Sequence, residues 1–320
     1  MKKYSVVLFN LGGPDSLESV ESFLYNLFSD PDIFKLPFGQ KIFAKLLSAS
    51  RTGKVRERYR QIGGRSPIFD WTELQRSMLQ KDLNRETEDF DVYTAMRYSK
   101  PMIMDVAQEI RTHDYEKTVL LPLYPHYSIT TTGSSFNEWK RVYRGDDSGV
   151  IYVRDYFEHP KYIKAINHRI ESALFDFPEE IRSDVQMLFS AHGTPESLVK
   201  KGDPYSGQIS KTVESVMKAR NYSHDHHICF QSKVGPMKWL RPSTAELITK
   251  LAERNKRHLL IIPISFVSDQ LETLFELDIE YRGMAEKAGI ENYAVMQGLN
   301  DSYTFISALG DITRESLQLN

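Results

Sequence analysis

The chain has 320 residues, with 41 lysines and arginines against 43 aspartates and glutamates, a formal charge of −2. So even a balance argues against a general nucleic-acid binder, which carries a strong basic excess. Hydrophobic residues make up 41% and charged residues 26%, enough apolar content to bury a core, and the length suits two domains.

The single cysteine, Cys229, rules out an internal disulfide and any site built on two thiolates of this chain. It suits a reducing cytoplasm, the expected location. No run approaches the ~18 consecutive apolar residues of a spanning helix. The N-terminal stretch MKKYSVVLFNLGGP reads as a first buried strand rather than a signal peptide. Asn10 breaks its apolar run, and Gly12, Gly13 and Pro14 follow.

In chain order, strands are expected over 5–9, 92–96, 118–123, 150–153, 185–189, 228–230, 259–266 and 293–296. Several of these runs, such as VLLPL and HLLIIPI, lack in/out alternation, which predicts strands covered on both faces, as in a parallel sheet. Amphipathic patterns over 17–28, 209–220 and 243–257 predict helices between them. The third of these opens after Pro242. Alternation along the whole length means α/β. An internal echo supports duplication. KTVLLPLYPHYS at 117–128 matches RHLLIIPISFVS at 257–268, and RYSKP at 97–101 faces SKVGP at 232–236. The GDDSG stretch at 145–149 suggests a boundary. The expected domains are 1–145 with an apolar lip at about 23–47, 146–300 carrying His192 and Glu272, and a terminal helix in 301–320 that can pack back on the first domain.

There is no GxGxxG after the first strand, no P-loop, no HExxH and no GxSxG. Polar residues gather instead just after strands, where open α/β sheets bind ligands. Such loops lie at 10–16, 124–135, 190–195 and 265–272. His192 stands just past the fifth strand, on a stiff turn before Gly193 and Pro195. It is either a ligand or base, or an ordinary loop histidine bonded to backbone. On local pattern Glu272 reads as the acidic first turn of a capped helix, because Ser268, Leu271 and Glu272 resemble a capping box. The patch His224, Asp225, His226 and His227 precedes a strand and reads as an exposed turn. The aromatic segment 23–47 reads as a core helix pair or as a lip for a greasy ligand or membrane surface.

Taken in order, the motifs are similar to those of the ferrochelatase family, enzymes that insert ferrous iron into a porphyrin. They begin with Asn10-Leu11-Gly12-Gly13-Pro14, Tyr59-Arg60-Gln61-Ile62-Gly63-Gly64 with Ser66-Pro67, and Met96-Arg97-Tyr98. Next come Leu121-Pro122-Leu123-Tyr124-Pro125, Tyr127-Ser128 and Thr131-Thr132-Gly133-Ser134. They end with Ser190-Ala191-His192, Gln231-Ser232-Lys233-Val234-Gly235-Pro236 with Trp239, Phe266-Val267-Ser268-Asp269, Glu272-Thr273-Leu274 and Leu277-Asp278-Ile279-Glu280-Tyr281. The resemblance implies two similar Rossmann-like domains, each a parallel sheet flanked by helices, with a porphyrin cleft between and beside them. It implies that His192 and Glu272 are the catalytic and metal-side pair. It places Tyr59 and Arg60 near porphyrin carboxylates, and Arg97, Tyr127 and Trp239 in the cleft. Protoporphyrin IX and ferrous iron are the implied substrates, with no permanently bound cofactor.

The chemistry explains these residue types. A planar free-base porphyrin hides its nitrogen lone pairs and carries two pyrrole protons, so binding must bend it. A neutral imidazole can take a pyrrole proton or ligate the ion, and a carboxylate supplies charge and a proton route. One histidine and one carboxylate leave the metal site open, whereas a four-ligand cage would trap the ion. Four positions depart from the family pattern. Gln270 stands where a histidine is usual, Gln61 where many relatives have a second arginine, Arg65 where a third glycine is common, and His126 where Gln is frequent. With Cys229 alone, the iron–sulfur cluster of some relatives is not expected. A non-catalytic porphyrin or haem carrier, and a chelatase for another metal or porphyrin, are the competing readings. The lip leaves a peripheral membrane contact open.

Overall fold

The computed structural model describes residues 2–34, 38–85, 88–232 and 237–319. Residues 35–37 of the lip and 233–236 of the SKVGP motif therefore lie outside the described residues. The chain divides into two units, Met1–Tyr156 with Asp301–Asn320, and Phe157–Asn300.

The first unit runs β1 (Lys3–Asn10), α1 (Val20–Phe28), α2 (Gln40–Gln61), α3 (Ile68–Leu83), β2 (Asp89–Met96), α4 (Ile103–Ile110) and β3 (Lys117–Pro122). A short π-helix (Ile129–Gly133), α5 (Ser134–Val142) and β4 (Val150–Tyr152) follow. The strands form one parallel sheet in the order β2-β1-β3-β4. Val6 to Phe9 of β1 are fully buried, as a central strand covered on both faces requires. One face packs Val7, Phe9 and Leu120 against Ile103, Val106, Ala107 and Ile110 of α4 and Trp139 of α5. The unit continues past the GDDSG stretch. Asp146 accepts from Ser148 N to form a turn, β4 then pairs with β3, and Tyr156 N donates to Pro125 O at 3.0 Å.

The second unit runs α6 (Pro160–Leu174), β5 (Gln186–His192), α7 (Glu196–Lys200), α8 (Tyr205–Ala219), β6 (His226–Gln231), α9 (Thr244–Glu253) and β7 (His258–Pro263). A longer π-helix (Glu272–Glu280), α10 (Tyr281–Lys287) and β8 (Asn292–Val295) complete it. Its parallel sheet has the order β6-β5-β7-β8, the order of the first unit repeated. Leu188, Leu259 and Ile261 of the sheet pack with Leu247, Ile248 and Leu251 of α9 and Leu277 of the π-helix. A capping box in which Ser243 and Glu246 satisfy each other's backbone N–H starts α9.

The last helix, α11 (Tyr303–Leu317), belongs to the first unit and packs on α3. Arg314 Nη2 donates to Asp82 O at 2.9 Å, and Arg85 Nη1 donates to the Tyr303 hydroxyl at 2.6 Å. Gly310 lets the helices close, since a Cβ there would fall 2.4 Å from Asp82 Oδ2.

All eight expected strands are present, and the duplication carries through to equivalent hydrogen bonds. Leu123 N donates to Phe9 O at 2.8 Å, and Ile264 N donates to Ser190 O at 3.0 Å. One half of the echo needs correction. Met96 N, at the end of β2, donates to Pro101 O, and Phe230 N, near the end of β6, donates to Pro242 O. The partner of Lys100-Pro101 is therefore Arg241-Pro242, not the SKVGP stretch. The loop after β6 is the longer of the two, and SKVGP and Trp239 fall within the extra length.

Candidate functional site

In each sheet the chain leaves the first strand toward one side and returns to the other side with the third. The carboxyl ends of β5 and β7 thus flank a topological switch point, where α/β sheets form their ligand crevice. His192 is the last residue of β5, and the segment after β7 leads to Glu272.

The His192 main chain is fixed twice. Its N–H donates to Ser265 Oγ at 2.9 Å, and its carbonyl accepts from the Tyr205 hydroxyl at 3.1 Å. The ring meets Phe266 edge-on at 6.2 Å. Nδ1 lies 2.8 Å from Gly193 O. A carbonyl only accepts, so Nδ1 carries the hydrogen, and in the neutral ring Nε2 then keeps the lone pair. The loop histidine bonded to backbone and the imidazole offered outward are thus one arrangement. Gly193 is itself confined, because a Cβ would come within 2.7 Å of Gln231 O and 3.2 Å of the Trp239 ring.

Glu272 opens the nine-residue π-helix, a rare geometry often found at functional sites. The residue before it, Leu271, is already helical, and its side chain makes no capping hydrogen bond. Asp269 performs a different task. Its carboxylate accepts from Thr273 Oγ1 at 3.0 Å, Gly298 N at 3.1 Å and Asn300 Nδ2 at 2.6 Å, tying the helix start to the segment after β8. One turn further, Glu276 accepts from Ser232 N at 2.8 Å, from Ser232 Oγ and from the Tyr281 hydroxyl at 3.0 Å. Burial pushes the Tyr281 hydroxyl well up, so it stays protonated and donates. Gln270 is buried, and its backbone N–H donates to Thr273 Oγ1.

The remaining candidates separate. Trp239 bridges to Pro195 and stands beside Gly193, within the second unit. The other four lie in the first. Arg60 is exposed at the end of α2 and pairs with Glu57 at 2.7 Å. Tyr59 beside it is only 4% exposed. Tyr127 is half-buried, with the Arg154 guanidinium 4.3 Å from its ring centre. Arg97 is 8% exposed and bound inside the protein. Its guanidinium pairs with Asp30 at 3.0 Å and donates to Ser134 Oγ at 2.8 Å, while Asp30 also accepts from Tyr98 and Ser134 at 2.5 Å each. Arg97 therefore holds the chain that follows α1 rather than presenting a free cation.

Sequence reasoning missed Ser265, Tyr205, Asp30 and the role of Gln231. Gln231 lay in a quoted motif, Ser265 in the 265–272 loop and Asp30 in the 23–47 segment, but their partners are distant in sequence. The histidine patch is not the expected exposed turn, because His226 and His227 begin β6 and only Asp225 of the four is exposed. His224 sits between Ser223 Oγ and Arg182 O, and desolvation lowers His224 and His227. Burial pushes the Cys229 thiol up to about 12, which leaves it unreactive. A cavity of about 420 Å³ lies along the π-helix, lined by Thr273, Asp278, Arg282, Tyr293 and Gln297. Its Asp278 is already paired with Arg282. Among the described residues no group of three or more His, Cys, Asp or Glu side chains is arranged to hold a metal ion.

Residues 3–317 match the family model for ferrochelatase. The chain is 46% identical over 321 residues to the ferrochelatase of Aquifex aeolicus, covering 99% of this chain and 100% of that one. It is 44% identical over 316 residues to the ferrochelatase of Citrifermentans bemidjiense, covering 98% of each. Among solved structures it resembles SirB from Bacillus subtilis with Fe3+, at a TM-score of 0.57 and 11% identity, covering 99% of this chain and 96% of that one. That last likeness concerns the fold.

Proposed function

The chain belongs to the ferrochelatase family, and from that premise we propose how its residues divide the work of inserting a metal into a porphyrin to make haem. Insertion exchanges two pyrrole protons for one divalent ion, so the site must accept protons without holding the metal. The observation that carries the reading is the His192 tautomer. With Nδ1–H donated to Gly193 O, Nε2 is the atom left to take a pyrrole proton. Glu272, in the first turn of the π-helix, lies where the helix dipole favours the ionised carboxylate. It supplies charge opposite the incoming ion and a route for departing protons. One imidazole and one carboxylate bind a transition metal weakly enough to release it into the ring. Gln270 cannot carry a proton at neutral pH, so the first proton goes to His192 alone.

Arg60 is the first-unit cation best placed for a porphyrin carboxylate, since its side chain is exposed and its Glu57 partner is a weak surface pair. Tyr59 and Arg97 are further porphyrin-side candidates, and the burial of Tyr59 and the pairing of Arg97 with Asp30 support a part for both in holding the scaffold. Tyr127 and Trp239 offer aromatic surface to the macrocycle.

The lip divides in two. Phe28, Phe34 and Phe43 pack on one another, whereas Phe38, Ile42 and Leu46 are 91%, 68% and 67% exposed and recur every four residues. Lys41 and Lys45 are exposed beside that stripe. No helix among the described residues is long and apolar enough to cross a membrane. A peripheral contact with an anionic bilayer fits this stripe, and a cytoplasmic location suits the lone buried cysteine. Co-sedimentation with phosphatidylglycerol vesicles that persists unchanged in Ile42→Glu would refute the contact.

Purified protein with free-base porphyrin and ferrous or zinc ion should yield metalloporphyrin. His192→Ala should lower the rate by about 10²- to 10⁴-fold while porphyrin binding persists. A fully active His192→Ala would sink this assignment. A second porphyrin with a different carboxylate number tests Arg60.

A further inference from the structure

The two reacting groups assigned above come from different elements, the end of β5 and the π-helix after β7, and their usefulness depends on the distance between them. One residue touches both neighbourhoods. Gln231, the last residue of β6, is 2% exposed. Its backbone carbonyl accepts from Gly193 N at 2.8 Å, beside His192. Its side-chain Nε2 donates to the backbone carbonyl of Glu272 at 3.2 Å and lies 3.4 Å from Glu276 Oε2. Its Oε1 accepts from Ser190 Oγ at 2.8 Å, two residues before His192 on β5. The amide orientation follows from the partners. The Glu272 carbonyl only accepts, so Nε2 must face the π-helix, and Oε1 then faces the Ser190 hydroxyl.

We propose that Gln231 is a positioning residue for metal insertion, a strut that sets the separation of His192 and Glu272. The inference rests on the assignment of those two residues. Asp269 anchors the start of the π-helix toward the segment after β8, which leaves a place for an anchor toward β5. Gln231 supplies one at the carbonyl of the residue that carries the carboxylate. Its amide fits because the position needs a donor on one face and an acceptor on the other. Glu would set two acceptors against Glu272 O and Glu276, and Lys would lose the Ser190 bond. Neither the porphyrin nor the metal touches Gln231 in this scheme. It acts through geometry, to which reactions are sensitive on the ångström scale.

Gln231→Met keeps the length and removes both amide atoms. Ser190 keeps Thr244 Oγ1 at 2.8 Å, and Glu276 keeps Ser232 and Tyr281, so the loss falls on the bond to the Glu272 carbonyl. In the full-length protein, kcat/KM for the metal should fall about 10- to 100-fold, with the dissociation constant for free-base porphyrin, read from tryptophan quenching, unchanged within about twofold. Gln231→Glu should lose more than Gln231→Met, and the difference should narrow as pH falls and the introduced carboxyl is protonated. A merely structural role would weaken porphyrin binding alongside the rate and give no such pH-dependent gap. His192→Ala is run in parallel. If His192→Ala is inactive and Gln231→Met keeps wild-type kcat/KM, the strut is refuted. If His192→Ala is active, the assignment beneath it has failed instead. Should the Met variant not fold, Gln231→Asn serves. It is one methylene shorter and retains polarity, and wild-type metal kcat/KM in that variant likewise overturns the proposal.

Discussion

The two units share one strand order and differ at the same structural place. Two residues past the β1 position paired with Pro122 stands Leu11, and two past the β5 position paired with Pro263 stands His192. The π-helix after β3 is short and rich in threonine, while the one after β7 is longer and carries Glu272 and Glu276. Each unit also fastens the end of its outer strand to its π-helix region. In the first, Arg97 reaches Ser134 and Asp30. In the second, Gln231 and Ser232 reach Glu272 and Glu276. The first fastening neutralises its charges inside the protein. The second sets amide and hydroxyl donors of Gln231 and Ser232 against the Glu276 carboxylate and ties Gln231 to the Glu272 carbonyl. A duplicated scaffold can thus carry a buried ion pair in one copy and a hydrogen-bonded carboxylate in the other by exchanging a few side chains at equivalent positions.

The largest effect on this contrast should come from Asp30→Ala. The Asp30 carboxylate is fully buried and accepts from Arg97, Tyr98 and Ser134. Removing it strands a buried guanidinium, and Glu138 at 3.6 Å is a poor substitute. Stability should drop by about 3–5 kcal/mol in urea unfolding. Protein that remains folded should keep its rate per molecule, because His192 and Glu272 lie in the other unit. A drop below about 1 kcal/mol would show that the network is not the support described here.

Gly193→Ala probes the second unit at an intermediate scale. The new Cβ would meet the Gln231 carbonyl at 2.7 Å, a backbone atom that cannot step aside as a side chain can. Overpacking of this kind costs about 1–3 kcal/mol. It should also move the Gly193 carbonyl that sets the His192 tautomer, so kcat should fall far more than the lost stability accounts for. A variant with lowered Tm and unchanged kcat would separate the two effects and weaken the tautomer argument.

The sequence made the repeat legible because buried parallel strands leave long apolar runs, and all eight were readable. The place of His192 at the end of β5 was readable from its position after such a run. The surroundings of Glu272 were not, because an acidic residue before an apolar helix looks the same in sequence whatever it contacts. The π-helix was not readable either, since its widened turn depends on side chains from elsewhere, such as Asp269 bridging to Asn300. The ion pair of Arg97 was not readable for a related reason. A motif shows that an arginine is present, but its partner Asp30 lies 67 positions earlier, and only the fold brings them together. The SKVGP alignment failed because the two loops differ in length while ending in the same backbone hydrogen bond.

The smallest effect at neutral pH, and the clearest in sign, concerns His126 in the first unit. Burial alone pushes its pKa down to about 3 from the ordinary 6.5. The folded protein holds this imidazole neutral, whereas the unfolded chain protonates it below about 6.5. The unfolded state therefore binds the extra proton, and the stability this group contributes is present above about 6.5 and is lost as pH falls toward 3. The slope across that window approaches about 1.4 kcal/mol per pH unit for one group. His126→Gln, the residue frequent in relatives, removes that proton. Its stability should match the parent within about 1 kcal/mol at pH 7.5 and exceed it increasingly between pH 6 and 4, read from urea midpoints. Parallel midpoint curves for parent and variant across that range would mean His126 is protonated in the fold. The first unit would then tolerate a buried charge beyond the one that Arg97 and Asp30 neutralise between them.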